Sequence, residues 1–245
     1  YHILGRETFL APVDWPQGGW PQVNGNGTIS LDMKTATLPL KPFSKPAIRS
    51  DFDKEQLGLE WQYLRNPLRD HYFLSEKKGW LSIQASPNSL NEAKQMSAIL
   101  RRQTEHNFTA STLLQFASSK DNEEAGITVM QNNSHHYDLL IKRQKGKDRI
   151  QLRVKLGSLS YIAAEKIIQG NQHKLRIEGT PQQYIFSIAN PGGEQYSEIG
   201  RLDTRYLATE VAGGFTGVMI GLYATSNGIP SNAKAFFDWF DYNTK

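Results

Sequence analysis

The stretch HYDLLIKRQKGKDRIQLRVKL, residues 136–156, decides the fold class of this chain. A first strand ends near Arg143, a turn falls around Gly146, and the segment 149–156 then alternates polar and apolar side chains. Such alternation is typical of a half-buried strand, because successive side chains of a strand point to opposite faces of the sheet. The stretch therefore predicts a β-hairpin, whose basic residues form a solvated face rather than a nucleic-acid site.

The same alternation continues through most of the chain after residue 27. Gly, Pro, Asn and Asp interrupt it about every 8 to 12 residues, the spacing of a β-sandwich or barrel. No internal repeat is present, which argues against a propeller or solenoid, and the segment 203–211 predicts no more than a turn or two of helix. We therefore predict an all-β fold, one antiparallel β-sandwich preceded by an irregular arm. The predicted strands are 28–33, 57–65, 79–85, 96–102, 108–116, 125–131, 136–142, 149–156, 161–168, 173–179, 184–190, 217–224 and 235–242.

Composition excludes several classes of function. The 245 residues carry a net charge of only +4, with 38% hydrophobic residues and no cysteine. The absence of cysteine excludes disulfides, thiolate metal sites and cysteine nucleophiles. The apolar runs are much shorter than the roughly 20 residues of a membrane-spanning helix. Neither a membrane nor a nucleic acid is a predicted partner.

No group of residues forms a self-contained catalytic motif. The adjacent His135 and His136 would point to opposite faces of a strand, whereas a zinc site needs three or four converging ligands. The carboxylate pattern E-x-D-x-x-E of jelly-roll glucanases is absent, and so is the G-x-S-x-G elbow of serine hydrolases. A self-sufficient jelly-roll hydrolase is therefore disfavoured.

Three aspartates are candidate ligands of a structural calcium ion. Asp51, Asp53 and Asp238 lie where the first and last strands are predicted to meet, and Ca²⁺ prefers oxygen ligands from loops. The same residues also suit the capping of turns and strand ends. Both interpretations stay open from the sequence.

The first 25 residues, YHILGRETFLAPVDWPQGGWPQVNG, contain two tryptophans outside any alternating pattern. Trp61, Trp80 and Trp239 lie within predicted strands, where packing in the core is the expected role. Trp15 and Trp20 are instead predicted to be interface residues, because large rings are unfavourable in a fraying terminus.

Several separate motifs, in the same order along the chain, resemble those of glycoside hydrolase family 43, the β-xylosidases and α-L-arabinofuranosidases. In that family, a G-R-E-T core is followed by W-x-x-x-G-W-P in the segment after the catalytic propeller. The resemblance rests on segments 4–25, 57–67, 98–116, 125–141, 213–226 and 237–242.

The resemblance implies the C-terminal concanavalin A-like, jelly-roll β-sandwich of such an enzyme, over residues 28–245. Residues 1–27 would form an interdomain strap that follows a five-bladed catalytic propeller, and a start at Tyr1 without Met is what a domain from a longer chain would show. The family's catalytic carboxylates lie in the propeller, so no catalytic residue is assigned here. The expected anchors on the propeller are Arg6, Glu7, Phe9, Trp15 and Trp20.

In family β-xylosidases, a loop of the sandwich reaches over the propeller and helps to wall the sugar pocket. The matching segment is VAGGFTG, 211–217, with Gly213, Gly214, Phe215 and Thr216 as the residues that face the pocket. Gly214 stands where the family has an aromatic residue just before F-T-G. A wider pocket rim would suit a bulkier or branched substrate, which favours α-L-arabinofuranosidase over β-xylosidase activity.

The function implied by the resemblance is that of an accessory domain acting with the propeller on oligosaccharides from hemicellulose. No cofactor is expected apart from the candidate calcium ion. Polysaccharide breakdown favours a secreted or periplasmic location, and a cytoplasmic one stays open. The alternative function is an independent carbohydrate-binding module.

Overall fold

The computed structural model describes residues 1–25, 27–33, 39, 41–42, 44 and 47–244. The chain forms two compact units, one of Tyr1–Gly5 with Ile48–Lys245 and one of Arg6–Ala47. Among the described residues, no helix has the length and apolar character needed to cross a membrane. The helical segments of the described chain are α1, Thr209–Ala212, and two 3-10 turns, Arg69–His71 and Thr204–Leu207.

The larger unit is an antiparallel β-sandwich, as the sequence predicts. The strands of the described chain, in order, are β1 Val13–Asp14, β2 Gln22–Val23, β3 Arg49–Ser50, β4 Gln62–Tyr63, β5 Tyr72–Phe73, β6 Leu81–Gln84, β7 Ser97–Arg102, β8 Phe108–Phe116, β9 Glu124–Asn132, β10 His135–Gln144, β11 Lys147–Leu156, β12 Leu159–Ile167, β13 Gln172–Gly179, β14 Gln183–Ala189, β15 Ser197–Asp203, β16 Met219–Thr225 and β17 Lys234–Thr244. One sheet has the spatial order β12-β11-β10-β9-β16-β7-β4, and the other has the order β15-β14-β13-β8-β17-β6-β5, with β3 paired to β17.

The hairpin 136–156 is confirmed and supplies part of the core. Strands β10 and β11 pair from His135↔Leu156 to Gln144↔Lys147. Lys145 and Gly146 both have positive φ, 51° and 74°, the conformation that a two-residue hairpin turn with the twist of its strands requires. The ring of Tyr137 lies 6.4 Å from that of Phe186 in β14. The alternating apolar face therefore packs against the second sheet.

The opposite face of this hairpin departs from the prediction that its basic residues are solvated. The Arg153 side chain is only 12% exposed, and its Nε donates to Asp138 Oδ2 at 2.8 Å while Nη2 donates to Glu124 Oε1 at 2.7 Å. Asp138 also contacts His136 Nδ1 at 2.9 Å. The charges face one another across neighbouring strands, so they form a paired network beneath the surface.

One predicted strand is absent and another is shortened, and five strands of the described chain were not predicted: β1, β2, β3, β5 and β15. Residues 28–33 form no strand, and within 57–65 only β4, at 62–63, is extended. The Trp61 amide donates to the Gly58 carbonyl at 3.1 Å. This hydrogen bond closes a turn where the alternation of polar and apolar residues predicted a strand. Strand β15 was missed because few of its side chains are apolar, as expected of a sheet edge. Alternation yields a strand only where a neighbour supplies backbone partners.

The tryptophans within the sandwich have mixed surroundings. Trp61 is buried, with its ring 5.0 Å from that of Phe240. Trp80, directly before β6, and Trp239, in β17, are partly buried. Lys77 Nζ lies 3.1 Å from the centre of the Trp80 ring, and the Arg49 guanidinium lies 4.5 Å from that of the Trp239 ring. A cation near each ring gives both residues a partner within the chain.

Candidate functional site

The segment predicted to face a sugar pocket forms an exposed loop between α1 and β16. Helix α1 ends at Ala212 and is capped by Gly213, whose φ is 74°, and Gly214 follows with φ of 86°. Residues Gly213, Gly214, Phe215 and Thr216 are all exposed, and Phe215 has 68% of its surface accessible. We call these four residues the glycine loop. Two successive positive φ values suit glycine and would strain an aromatic residue at position 214.

Two amide side chains at the end of β9 hold the glycine loop by its backbone. Gln131 Nε2 donates to the Thr216 carbonyl at 2.8 Å and lies 3.5 Å from the Gly213 carbonyl. Asn132 Nδ2 donates to the Ala212 carbonyl at 3.0 Å. Sequence reasoning missed both residues, since nothing in the local pattern links β9 to a loop some 80 residues later.

The first five residues lie beside this loop. The amide of Thr209 donates to the His2 carbonyl at 3.2 Å, and the amide of Val218 donates to the Ile3 carbonyl at 2.8 Å. Ile3 is buried in the core of the sandwich. The backbones of Gly5 and Gly217 approach so closely that a Cβ on Gly5 would lie 2.4 Å from the Gly217 nitrogen. The segment 1–5 is therefore part of the scaffold of the glycine loop.

Hydrogen bonds to Glu210 join the same segment to α1. The His2 amide lies 3.1 Å from Glu210 Oε2, and His2 Nδ1 lies 2.6 Å from Glu210 Oε1. Hydrogen bonds from its own backbone amide and from that of His2 lower the pKa of Glu210 to about 2. Glu210 is therefore ionised near neutral pH and fastens the start of α1 to His2.

The other predicted interface lies in the unit Arg6–Ala47. Strands β1 and β2 pair through Val13↔Val23 and Asp14↔Gln22, and the segment 15–21 closes this hairpin. We call residues 13–23 the Trp hairpin. Trp15 directly follows β1 and is 76% exposed, while Trp20 lies at the other end of the turn and is 88% exposed. Both rings therefore present most of their surface outward.

The remaining predicted anchors precede the Trp hairpin in the same unit. Arg6 and Glu7 are exposed, and Phe9 is about half exposed. All three side chains are thus accessible at the surface. The grouping of Arg6, Glu7, Phe9, Trp15 and Trp20 on one partner surface stays a prediction.

The candidate calcium ligands have basic neighbours. Asp51 accepts a hydrogen bond from Arg49 Nε at 2.6 Å. Burial raises the pKa of Asp238, against the opposing attraction of Lys77 and Arg49. Among the described residues, no group of three or more His, Cys, Asp or Glu side chains has the arrangement of a metal site. Calcium binding by Asp51, Asp53 and Asp238 stays a prediction.

The chain matches, over residues 49–243, the protein family described as β-xylosidase C-terminal concanavalin A-like domain. It is 37% identical to a non-reducing end α-L-arabinofuranosidase of Bacteroides ovatus, over 99% of this chain and 46% of that protein. It is 33% identical to a xylosidase/arabinosidase of Butyrivibrio fibrisolvens, over 97% of this chain and 46% of that protein. The chain thus spans about half the length of the curated relatives it matches.

Solved structures also match this chain over about half of their own length. A structure described as Bacteroides ovatus xyloglucan PUL GH43B superposes with a TM-score of 0.94 at 37% identity, covering 100% of this chain and 48% of that one. A GH43 protein of Bacillus licheniformis, BlXynB, superposes with a TM-score of 0.91 at 26% identity, covering 98% of this chain and 47% of that one. In both comparisons about half of the larger protein has no counterpart in this chain.

Proposed function

The chain belongs to the family of β-xylosidase C-terminal concanavalin A-like domains, and from this premise we propose that it acts as the accessory domain of a glycoside hydrolase. The observation that carries the proposal is the match of nearly the whole chain to relatives about twice its length. The catalytic half would lie in the segment of the polypeptide that these relatives have in addition. Its partner would be that half, a five-bladed propeller in glycoside hydrolase family 43.

The first task of the domain is docking on the catalytic half. The exposed rings of Trp15 and Trp20 support this task, because buried tryptophans commonly carry the binding energy of an interface. The Trp hairpin holds both rings at the ends of one short turn. Arg6, Glu7 and Phe9 would extend the same interface along residues 1–27, the proposed strap.

The second task is to wall one side of the sugar pocket with the glycine loop. Its support is the exposure of Phe215 and Thr216 on a loop whose backbone is held at both ends. The substrate would be a hemicellulose-derived oligosaccharide. Gly214 leaves the rim without the aromatic ring of the β-xylosidases, so the wider rim favours release of α-L-arabinofuranosyl groups over xylosyl groups.

Activity and binding assays test this proposal together. We expect the 245-residue chain alone to leave nitrophenyl xylosides and arabinofuranosides intact, and the full-length polypeptide that contains it to hydrolyse one of them. Calorimetric titration of the chain with xylo- and arabino-oligosaccharides should show no binding at millimolar concentration. Hydrolysis by the pure chain would refute the accessory role, and millimolar or tighter binding would favour an independent carbohydrate-binding module.

A further inference from the structure

We propose that Gln131 is a positioning residue that sets the place of the glycine loop at the sugar pocket, with Asn132 as its partner. The inference rests on the proposed function, because it concerns the loop assigned to the pocket wall. It adds two residues of β9 that lie outside the loop. Neither would touch the substrate, so their effect would pass through the loop backbone.

The glycine loop depends on side chains outside it for a fixed conformation. Gly213 and Gly214 both have positive φ, and glycine has more backbone freedom than any other residue. A loop built on them keeps one conformation only if other groups restrain it. Gln131 donates to the carbonyl of Thr216 at the end of the loop, and Asn132 donates to that of Ala212 just before it. The two side chains thus restrain both ends of the glycine loop.

The two anchoring side chains are carried by a strand within the sheet. Gln131 and Asn132 end β9, whose Asn132 pairs with His135 of β10 and whose pairing with β16 extends as far as Met130. Strand β16 begins two residues after Gly217, and its Met219 pairs with Met130 of β9. The loop therefore leaves the sheet beside the strand that carries its two anchors. A site held by sheet strands is placed more precisely than one held by loops.

Gln131 also carries a polar atom that disfavours folding. The Oε1 atom of Gln131 is buried and has no hydrogen-bond partner within the described chain. A buried acceptor without a partner opposes folding, and an apolar side chain of the same length would avoid this penalty. Stability alone would thus favour an apolar residue at position 131. Donation from Nε2 to the glycine loop gives a reason for glutamine.

The substitution Gln131→Met separates the effect of Gln131 on folding from its effect on the position of the glycine loop. Methionine keeps the length of the side chain but removes both the donor and the unpaired acceptor. We expect the thermal midpoint of the 245-residue chain to stay unchanged or rise, while hydrogen exchange of the peptide 212–218 becomes faster. Asn132→Asp should also accelerate this exchange, because it removes the donor to Ala212 and keeps the oxygen that accepts from the Ser134 amide.

In the full-length polypeptide, Gln131→Met should lower kcat/KM by about tenfold to a hundredfold, the range that misplaced active-site groups produce. The loss should appear mainly in KM, since a pocket wall binds substrate and transition state alike. Gln144→Met is the matched control. Gln144 ends β10 at the opposite end from His135, and its Oε1 lies 3.4 Å from Gln151 Nε2. We expect this variant to leave KM and the exchange of 212–218 unchanged.

The substitution Phe215→Ala tests whether the glycine loop contributes to substrate binding at all. If Phe215→Ala raises KM and Gln131→Met does not, the positioning role is wrong while the accessory function stands. If neither variant changes KM, the pocket-wall assignment of the loop fails. Unchanged exchange of 212–218 in Gln131→Met, or a lower thermal midpoint with unchanged kinetics, would also overturn the inference, because Gln131 would then serve folding alone.

Discussion

Arg153 and Phe215 belong to the same β-sandwich, and their surroundings are opposite. Arg153 is a cation placed inside the protein, where Asp138, Glu124 and the Tyr223 hydroxyl accept its hydrogen bonds at 2.7–3.1 Å. Phe215 is a large apolar ring that stays 68% exposed on the glycine loop. In the first region, groups of the chain itself compensate the charge of Arg153, whereas in the second most of the apolar surface of Phe215 stays exposed to solvent.

The difference separates the residues that stabilise the sandwich from those that we propose to contact another surface. A buried charge is tolerated only when partners compensate its lost hydration, so the network around Arg153 has a structural role. The exposed rings of Phe215, Trp15 and Trp20 instead leave apolar surface that a partner could cover. Substitutions in the first region should change stability, whereas substitutions in the second should change interactions with the catalytic half.

The largest expected effect is that of Arg153→Met on stability. The variant leaves the Asp138 and Glu124 carboxylates buried without their main cation, which typically lowers the free energy of unfolding by about 3–5 kcal/mol. Urea denaturation of the 245-residue chain measures this loss. Arg201→Met is the control, since it breaks an exposed ion pair with Glu198 and should cause no measurable change. Equal effects of the two variants would mean that the buried network does not stabilise the sandwich.

The second prediction compares two glycines that have nearly the same positive φ but differ in the space around them. Gly5 has φ of 83° and Gly214 has φ of 86°. A Cβ on Gly5 would collide with the backbone of Gly217, whereas a Cβ on Gly214 has only the end of Gln131 nearby, at 4.0 Å. Gly214→Ala should therefore cost about 1–2 kcal/mol from the left-handed backbone alone.

For Gly5→Ala, overpacking of a further 1–3 kcal/mol adds to that cost, for a total of about 2–5 kcal/mol. Urea denaturation of both variants gives the comparison. Similar losses for the two alanines would show that the segment 1–5 can move away from the base of the glycine loop.

The third prediction concerns the exposed rings of the Trp hairpin. Trp20→Ala should leave the unfolding free energy of the 245-residue chain nearly unchanged, because the ring is 88% exposed. The same variant should weaken the affinity between this chain and a separately expressed catalytic half by at least about 2 kcal/mol, roughly thirtyfold. Calorimetric titration of the two halves measures this change.

Leu159→Ala in β12 is the matched control, since Leu159 is also an exposed apolar residue. It should leave the affinity unchanged. Equal affinity for Trp20→Ala and the unmodified chain would remove Trp20 from the interface, and a loss of chain stability in Trp20→Ala would return the ring to a structural role.

The smallest expected effect is the pH dependence that Asp138 contributes. Burial by itself would raise the pKa of Asp138, but attraction to His136 and Arg153 outweighs it and holds the pKa well below the ordinary 3.8. A depressed carboxyl pKa adds stability that is present above the unfolded value and is lost as the pH falls below about 4. The unfolding free energy should therefore decrease by at most about 1.4 kcal/mol per pH unit there for this one group.

Denaturation between pH 5 and pH 3 measures that slope, and Asp138→Asn should make it shallower. An unchanged slope in Asp138→Asn would assign the acid sensitivity to other carboxylates. Above pH 5, Asp138 should add no pH dependence, because it is ionised in both the folded and the unfolded chain.

Much of this fold could be predicted from the sequence because alternation is a local property of the backbone. The hairpin 136–156 has the predicted turn, and its apolar residues pack against the second sheet. The same signal was misleading at 28–33, which form no strand in the described structure, and it was too weak to show β15. Strand formation depends on a neighbour as well as on the pattern.

The sequence by itself determined the all-β class, the family and the short exposed segments in which interface residues could lie. Only the tertiary structure decided which polar side chains are internal supports, since Gln131 and Thr216 lie 85 positions apart in the chain and 2.8 Å apart in space. It likewise decided that Arg153 is only 12% exposed, although the sequence of its strand predicts a solvated face. Side-chain periodicity records the direction in which each residue points, whereas hydrogen bonds and ion pairs depend on which distant strand lies opposite it.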